Sequence, residues 1–293
     1  MIRITVTNHQ LLIADSGSTK TDWALINSAS DASVRRLTTQ GINPFHQDAS
    51  SIRRILTEEL LPQLDQVGSI ERIRFYGSGV RPEQQSKMEN LLSQLFPSAT
   101  DVQARGDLLG AARALYGSET GIACILGTGA NSCVYDGHEI VANTPPLGYI
   151  LGDEGSGAVL GRHFLNALYK GRLEKALRES FEQWAGMTMD QIITRVYRQP
   201  LANRWLASLS VYIHSHLDTP SVESLVIDNF RDFIRHNILP YGRNELPLRA
   251  VGSIAFYYQK QLDLAAREEG IRLDMVMRTP IDGLISAELS RFT

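Results

Sequence analysis

Cysteine is scarce: 293 residues contain two thiols, Cys124 and Cys133. Two cannot staple a chain of this length, so a reducing, cytoplasmic setting is expected. No run approaches the ~20 apolar residues that a membrane-spanning helix needs. The opening MIRITVTNHQ lacks the continuous apolar stretch and small-residue cleavage site of a secretory leader, and it alternates like a short strand. Neither sign of charge dominates: 29 Lys plus Arg stand against 32 Asp plus Glu, for a formal net charge of -3. The pI near 6.2 offers no electrostatic footprint for nucleic acid. Low-complexity tracts and short solenoid periods are missing. So is the G-x-x-x-x-G-K-[ST] loop of Walker-type nucleotide binders. Gly152 to Gly157 lacks the dinucleotide-fingerprint spacing, and Asp153 and Glu154 within it would repel a pyrophosphate.

What is present is a globular composition, 43% hydrophobic and 21% charged. At about 150 residues per domain the chain makes two. Leu11-Leu12-Ile13-Ala14 is a short apolar run ending at Asp15. After Ser16 to Thr21 a second strand-like run follows, from Asp22 to Ile26. Two such runs around a small-residue turn predict a hairpin, and Val34 to Thr39 predicts a third strand. Asp48 can cap a helix carrying Ile52, Ile55, Leu56, Leu60 and Leu61. A strand over 72–76 runs into Gly77-Ser78-Gly79. Met88, Leu91, Leu92 and Leu95 mark the next helix, and another follows Asp107. The pattern then begins again. Ile122 to Leu126 is strand-like, Gly127 to Asn131 a turn, and Ser132 to Tyr135 a strand, with Asp136-Gly137 as a hairpin signal before Glu139 to Ala142. Long helical patterns run from Ser156 to about Leu239. Leu248 to Val251 predicts a late strand and 280–291 a closing helix. The repetition implies a duplicated α/β architecture.

Three turns rich in glycine and hydroxyls each follow an expected strand: Gly17-Ser18-Thr19-Lys20-Thr21, Gly127-Thr128-Gly129 and Gly252-Ser253. Backbone amides in such turns approach oxyanions closely, and Lys20 adds a cation. One turn of this kind serves any tight hairpin; three, spread over two halves, suggest two lobes gripping one polyphosphate. Asp15 either anchors a magnesium ion beside the phosphates or bonds turn amides. Asp107 reads both as a helix N-cap and as a base at the junction of the halves. In Gly148 to Ser156, Asp153 and Glu154 either bond ligand hydroxyls or favour a helix start through the macrodipole. His46 and His163 are isolated. Cys124 and Cys133 flank the second turn, close across a hairpin, and read as buried thiols.

The ordered set Asp15-Ser-Gly-Ser-Thr-Lys-Thr-Asp22, Gly41-Ile-Asn43-Pro44, Arg105-Gly-Asp107, Leu126-Gly-Thr-Gly-Ala-Asn131, Gly152-Asp-Glu-Gly-Ser156 and Val251-Gly-Ser-Ile254 resembles a known family. It is similar to the N-acetylglucosamine kinase group of the BadF/BadG/BcrA/BcrD-type ATPases, in the actin, hexokinase and Hsp70 superfamily. The resemblance runs from about residue 11 to the C-terminus. It implies an α/β fold of two RNase H-like lobes with a central cleft: residues 1–109, completed by the helix at 280–293, and residues 110–279. It further implies ATP and Mg2+ as cofactors, Asp15 as the metal anchor and the 17–21 and 127–129 turns as phosphate loops. Gly252-Ser253 would lie against the nucleoside. Asn43, Gly77, Ser78, Asp107, Asn131, Gly148 and Asp153 would contact an amino sugar, with Asp107 as general base. A homodimer is implied as well.

In place of a tryptophan-containing segment associated with the animal enzymes, this chain has Pro146-Leu147-Gly148-Tyr149. N-acetylglucosamine, glucosamine, N-acetylmuramic acid and other hexosamines therefore stay open. Two alternative readings are an activator ATPase for a radical dehydratase, which would need thiolates for an iron–sulfur cluster, and a sugar sensor without catalysis.

Overall fold

The structure, a computed structural model, describes residues 10–17, 19–27, 33–64, 67 and 70–290. The strand-like stretch before Gln10, and Ser18 of the first turn, lie outside the described residues. The chain divides into two compact units: the segment up to Gly117 together with that from Pro280, and Ser118–Thr279.

In the first unit β1 (Gln10–Ser16) pairs antiparallel with β2 (Lys20–Asn27), which pairs antiparallel with β3 (Val34–Gln40). The Asp48 carboxylate accepts from Ser51 N at 2.8 Å and starts α1 (Ala49–Ile55). That helix continues through a π turn, Leu56–Leu60, and a 3-10 turn, Leu61–Gln63. Then come β4 (Ile70–Gly77), α2 (Pro82–Leu95), β5 (Asp101–Gly106) and α3 (Asp107–Tyr116). β4 runs parallel to β1, and β5 parallel to β4, giving the order β3-β2-β1-β4-β5.

The second unit repeats the plan. β6 (Gly121–Leu126), β7 (Ala130–Tyr135) and β8 (Ile140–Ala142) form an antiparallel meander. The helices α4 (Gly148–Leu151), α5 (Gly157–Tyr169), α6 (Lys175–Ala185), α7 (Met189–Arg198), α8 (Ala202–Ser208), α9 (Ser210–His214) and α10 (Pro220–Phe233) follow. α10 also ends in a π turn, Ile234–Ile238, and a 3-10 turn, Leu239–Tyr241. β9 (Leu248–Val251), α11 (Ser253–Tyr257), α12 (Gln259–Glu268) and β10 (Leu273–Met277) complete it, and α13 (Ile281–Leu289) returns to the first unit. β9 is parallel to β6, and β10 to β9, so each sheet has the RNase H-like arrangement expected from the sequence. β10 carries no clear sequence signal. It is an edge strand with exposed Asp274 and Met275, and Asp274 meets Arg249 Nε of β9 at 2.7 Å.

The uninterrupted apolar run in β1 has a structural cause. Leu12 and Ala14 join Trp23, Ile73, Phe75 and the residues of α1 and α2 on one face, while Leu11 and Ile13 meet Ile281, Leu284 and Ile285 of α13 on the other. A strand covered on both faces cannot alternate polar and apolar residues. Polar pairing also seats α13: buried Glu288 accepts from Tyr76 OH at 3.3 Å and lies 3.7 Å from buried Arg74 Nε. Arg74 in turn grips Asp101, its Nη1 lying 3.0 Å from Oδ1 and its Nη2 2.5 Å from Oδ2. The boundary expected at 109/110 falls inside α3, which packs against β4, β5 and α13. The first unit therefore keeps that helix to its end.

A Cβ at Gly283 would lie 2.3 Å from the Ala114 carbonyl oxygen of α3. In an open helix, alanine is about 1 kcal/mol better than glycine. Here the obstacle is backbone, which cannot turn aside, so the sign reverses. Gly283→Ala is expected to lower the melting temperature in calorimetry, and Gly283→Val to lower it further. A rise in either would mean that α13 is not seated on α3.

Candidate active site

Three parallel strands of the first unit end in line. Ser16 of β1 is in register with Gly77 of β4, and Gly77 with Gly106 of β5. Open parallel sheets bind ligands beyond such carboxyl ends, and each strand here delivers something there. β1 delivers Asp15 and then the turn closed by Gly17 N to Lys20 O at 3.0 Å. β4 delivers Gly77-Ser78, with Ser78 N donating to Ser16 O at 2.9 Å. β5 delivers Asp107.

Asp107 is the first residue of α3; Gly106 occupies the N-cap position. The capping role expected for Asp107 is thus corrected, because an N-cap sits one residue earlier and bonds the second or third helical amide. Its Oδ1 accepts instead from the adjacent Leu108 N at 2.9 Å, and Ser78 hydrogen-bonds the carboxylate. Burial raises its pKa against those bonds. Asp15 faces Asp22 across the β1–β2 hairpin. Burial, then the charges of Asp107 and Asp22, push the Asp15 carboxyl up to about 7, while Lys20 pulls it down. Lys20 is itself committed to Asp22, at 2.7 Å. Carboxylate oxygens are the hard donors that Mg2+ prefers, and Asp15, with Asp22 opposite it, supplies them here.

Asn43 stands beside the Gly77–Gly79 turn. A Cβ at Gly79, whose φ is +80°, would fall 2.1 Å from Asn43 Oδ1, so only glycine fits. That oxygen accepts from Phe45 N at 3.0 Å, which turns Nδ2 into the donor available to a ligand. Thr21 departs from expectation. It is fully buried, with Oγ1 2.6 Å from Ser16 Oγ and donating to Gln40 O at 3.1 Å. Its hydroxyl holds the hairpin together and does not face a ligand. Thr19 and Lys20 are exposed.

The second unit repeats the geometry with different chemistry. The pairings of β6, β9 and β10 also run out in register, with Ile125 opposite Val251 and Val251 opposite Met277. The Gly127-Thr128-Gly129 turn closes through Gly127 N to Gly129 O at 3.0 Å. Its carbonyls are held by the first amides of α5, Gly157 N to Gly127 O at 2.8 Å and Ala158 N to Thr128 O at 3.2 Å. A Cβ at Gly252 would lie 2.3 Å from Leu126 O, and its φ is +125°; glycine lets α11 begin against the end of β6, with Ser253 exposed.

Asn131 Oδ1 accepts from Ser132 N at 2.9 Å and Asn143 Nδ2 at 3.0 Å. That engages its Oδ1 and leaves Nδ2 as the donor, as in Asn43. Asp153 lies against Gly129, with 3.0 Å between its Oδ2 and the place of a Gly129 Cβ. Burial raises its carboxyl to about 6, with Glu154 adding to the rise, while the Ala130 amide opposes it. Gly148 is exposed with a positive φ of 77°. Glu154 is engaged with Asn237 Nδ2 at 3.2 Å, so it belongs to the loop's scaffold.

Two residues carry more than their sequence signal suggested. Asp22 joins the acid cluster; its symmetric position across the turn from Asp15 was the available clue. Ser16 locks the Gly41 loop, its Oγ accepting from Ile42 N at 2.9 Å. The cysteines are corrected in detail. Cys124 pairs with Ser132 and Cys133 with Ala123, so the thiols point to opposite faces of the sheet. Both are buried, which pushes their pKa values up, that of Cys133 to about 12. They cannot share one ligand, and no cluster of three or more metal-ligating side chains occurs among the described residues.

No protein-family model and no curated protein matches the chain. Solved structures do. A Porphyromonas gingivalis protein described as a "putative N-acetylglucosamine kinase" is 47% identical, over 97% of this chain and 100% of that one, with a TM-score of 0.92. A Chromobacterium violaceum protein under the same description is 21% identical over 96% and 99%, with a TM-score of 0.75. The ROK hexokinase of Thermus thermophilus shares 14% identity over 96% and 98%, with a TM-score of 0.50. The last two show a shared fold, the first a shared family.

The shift at Asp15 fixes the sign of a pH effect. Its ordinary value is 3.8 and its folded value about 7, so between them the folded chain holds the extra proton. Its contribution is complete below 3.8 and is lost as pH rises toward 7. Asp15→Asn is therefore expected to melt above the wild type at pH 8, the gap closing toward pH 4. Added Mg2+ at pH 8 should raise the melting point of the wild type alone. A variant that melts lower at pH 8, or still responds to Mg2+, would count against this charge balance.

Proposed function

The chain belongs to the N-acetylglucosamine kinase-like family of BadF/BadG/BcrA/BcrD-type ATPases, and from that premise we propose that it transfers the γ-phosphate of ATP to the 6-hydroxyl of N-acetylglucosamine or a closely related amino sugar. The observation that carries the reading is Asp107. It is a carboxylate at the first position of a helix, fixed by Leu108 N and Ser78 and raised in pKa by burial. A base works best when its pKa approaches the working pH and its direction is set.

Phosphoryl transfer asks a protein for in-line positioning and charge neutralisation, with no covalent nucleophile. In this reading Asp107 accepts the sugar hydroxyl proton as the O–P bond forms and the β–γ bridging bond breaks, releasing ADP. The amides of the 17–20 and 127–129 turns bind the phosphates, and Thr19, Thr128 and Lys20 support them. Ser18 belongs to the same turn by sequence. Gly252 and Ser253 border the nucleoside. Asn43 and Asn131 each offer an Nδ2 donor to sugar oxygens, Asp153 offers an acceptor, and Gly77, Ser78 and Gly148 supply small surfaces. Asp15, with Asp22 beside it, would hold Mg2+, which neutralises charge on the phosphates when bound.

The test is ADP release with MgATP against N-acetylglucosamine, glucosamine, N-acetylmuramic acid, N-acetylmannosamine, glucose and no sugar. Turnover is expected only with an amino sugar. Asp107→Asn should keep sugar binding in calorimetry while kcat falls roughly 10²–10⁴-fold. ADP release indifferent to sugar would sink the kinase reading, and full kcat in the variant would remove Asp107 from its role.

A further inference from the structure

α5 fastens two loops of the second unit at once. Its first amides hold the Gly127 and Thr128 carbonyls. Farther along the helix, Arg162 Nη1 donates to the carbonyls of Tyr149 and Ile150, at 2.9 and 3.3 Å. Those carbonyls belong to α4, a four-residue turn with little means of holding itself.

The stretch around α4 is costly to maintain. Leu147 and Asp153 have φ of +60° and +54°, and each such non-glycine residue costs on the order of 1–3 kcal/mol. Side-chain packing gives little back, because Leu147, Ile150 and Leu151 are 63%, 67% and 75% exposed. Tyr149 alone among residues 147–151 packs against the core. Two local backbone bonds close the loop on itself, Gly152 N to Gly148 O and Asp153 N to Pro146 O, both 2.8 Å. They fix the loop's shape and not its place. At its far end the loop is tied through Asp153, whose carboxylate takes the Ala130 amide and whose carbonyl takes Ser156 N at 3.0 Å; at the α4 end, Arg162 reaches in.

We propose that Arg162 is a positioning residue that, together with the Asp153–Ala130 bond, sets where the 146–153 loop, and with it Gly148, stands relative to the 127–129 turn. Guanidinium suits this role because it keeps its charge, and its fixed donor geometry can address two carbonyls at once. A lysine ammonium, with three donors on a shorter stem, would recover only part of this reach. The geometric part stands on the hydrogen bonds alone. Its consequence, tuning of sugar affinity without change in nucleotide affinity, rests on the sugar-kinase reading.

The experiment compares full-length Arg162→Ala, Arg162→Lys and Arg172→Ala. Arg172 is a control, bonded to Asn166 Oδ1 at 2.8 Å, away from the loop. Two readouts are taken: KM for sugar and for MgATP, and amide hydrogen exchange. In Arg162→Ala the sugar KM should rise about tenfold or more, the scale of lost charge-assisted bonds. The MgATP KM should stay within about twofold, and kcat should change less than the sugar KM. Exchange should quicken over residues 147–153 only. Arg162→Lys should recover part of both effects, and Arg172→Ala should show neither.

Unchanged exchange in that stretch, or exchange quickened across the whole unit, overturns the positioning role whatever the kinetics. Local quickening with an unchanged sugar KM overturns the link to the sugar. If the wild type shows no sugar-dependent turnover, the kinase reading fails separately. Exchange alone then decides Arg162: local quickening upholds its role, and any other pattern overturns it.

Discussion

Negative charge without matching positive charge governs the first unit's strand ends. The charges of Asp107 and Asp22 act on Asp15, opposed by Lys20, which is itself paired with Asp22. Like charges withdrawn from water raise each other's pKa, and the fold bears that cost as reduced stability at neutral pH. The cluster cannot relax apart. Asp15 and Asp22 are locked opposite by strand register, and Asp107 begins a helix anchored by α13. The helix N-terminus recovers part of the cost at Asp107, where the macrodipole favours an anion. Asp15, at a strand end, has no such help. The two acids thus differ in what they need: Asp107 is steadied by its helix, whereas Asp15 gains most from a cation.

Duplication explains the rest of the layout. Both units run an antiparallel meander into parallel strands, and both end the helical segment before the first parallel strand in the same way. α1 and α10 each widen into a π turn and stop at Leu61-Pro62 or Leu239-Pro240. Proline lacks the amide to continue a helix and crowds the carbonyl four residues back, and a widened turn before it relieves that crowding. On this common frame the strand ends have diverged. The first unit carries carboxylates, and the second carries a turn braced by α5 with an amide donor in Asn131. A phosphoryl transfer needs both kinds of chemistry, a base and cation ligands together with oxyanion donors.

Much of this was legible in sequence because the elements obey simple periodicities. The meanders, the Asp48 cap and the Asp136-Gly137 hairpin all follow from local patterns. The glycine turns could be located but not resolved. Nothing in the string Gly-Ser-Thr-Lys-Thr says that Thr21 turns inward to Gln40 while Thr19 stays exposed; that depends on pairing with β3. Cys124 and Cys133 flank a turn symmetrically to the eye, yet a one-residue offset in register sends them to opposite faces. β10 was hidden because an exposed edge strand gives no apolar alternation. Arg162 was hidden because its partners are backbone carbonyls, which leave no trace in sequence.

For a related physical reason the sugar itself is the least legible feature. The 146–153 loop is short, carries two strained non-glycine residues and exposes three leucine or isoleucine side chains. Loops of this kind bind ligands through their placement on a rigid scaffold, not through their composition. Discrimination between hexosamines that differ by an acyl or lactyl group is worth only about 1–3 kcal/mol per methylene. Asp153 adds a further dependence: its carboxyl is raised by burial to about 6, so an acceptor role in the proposed sugar site would weaken in mild acid. Under the proposed function, specificity follows from how α5 and the Ala130 amide hold a strained loop, more than from residue identity within it.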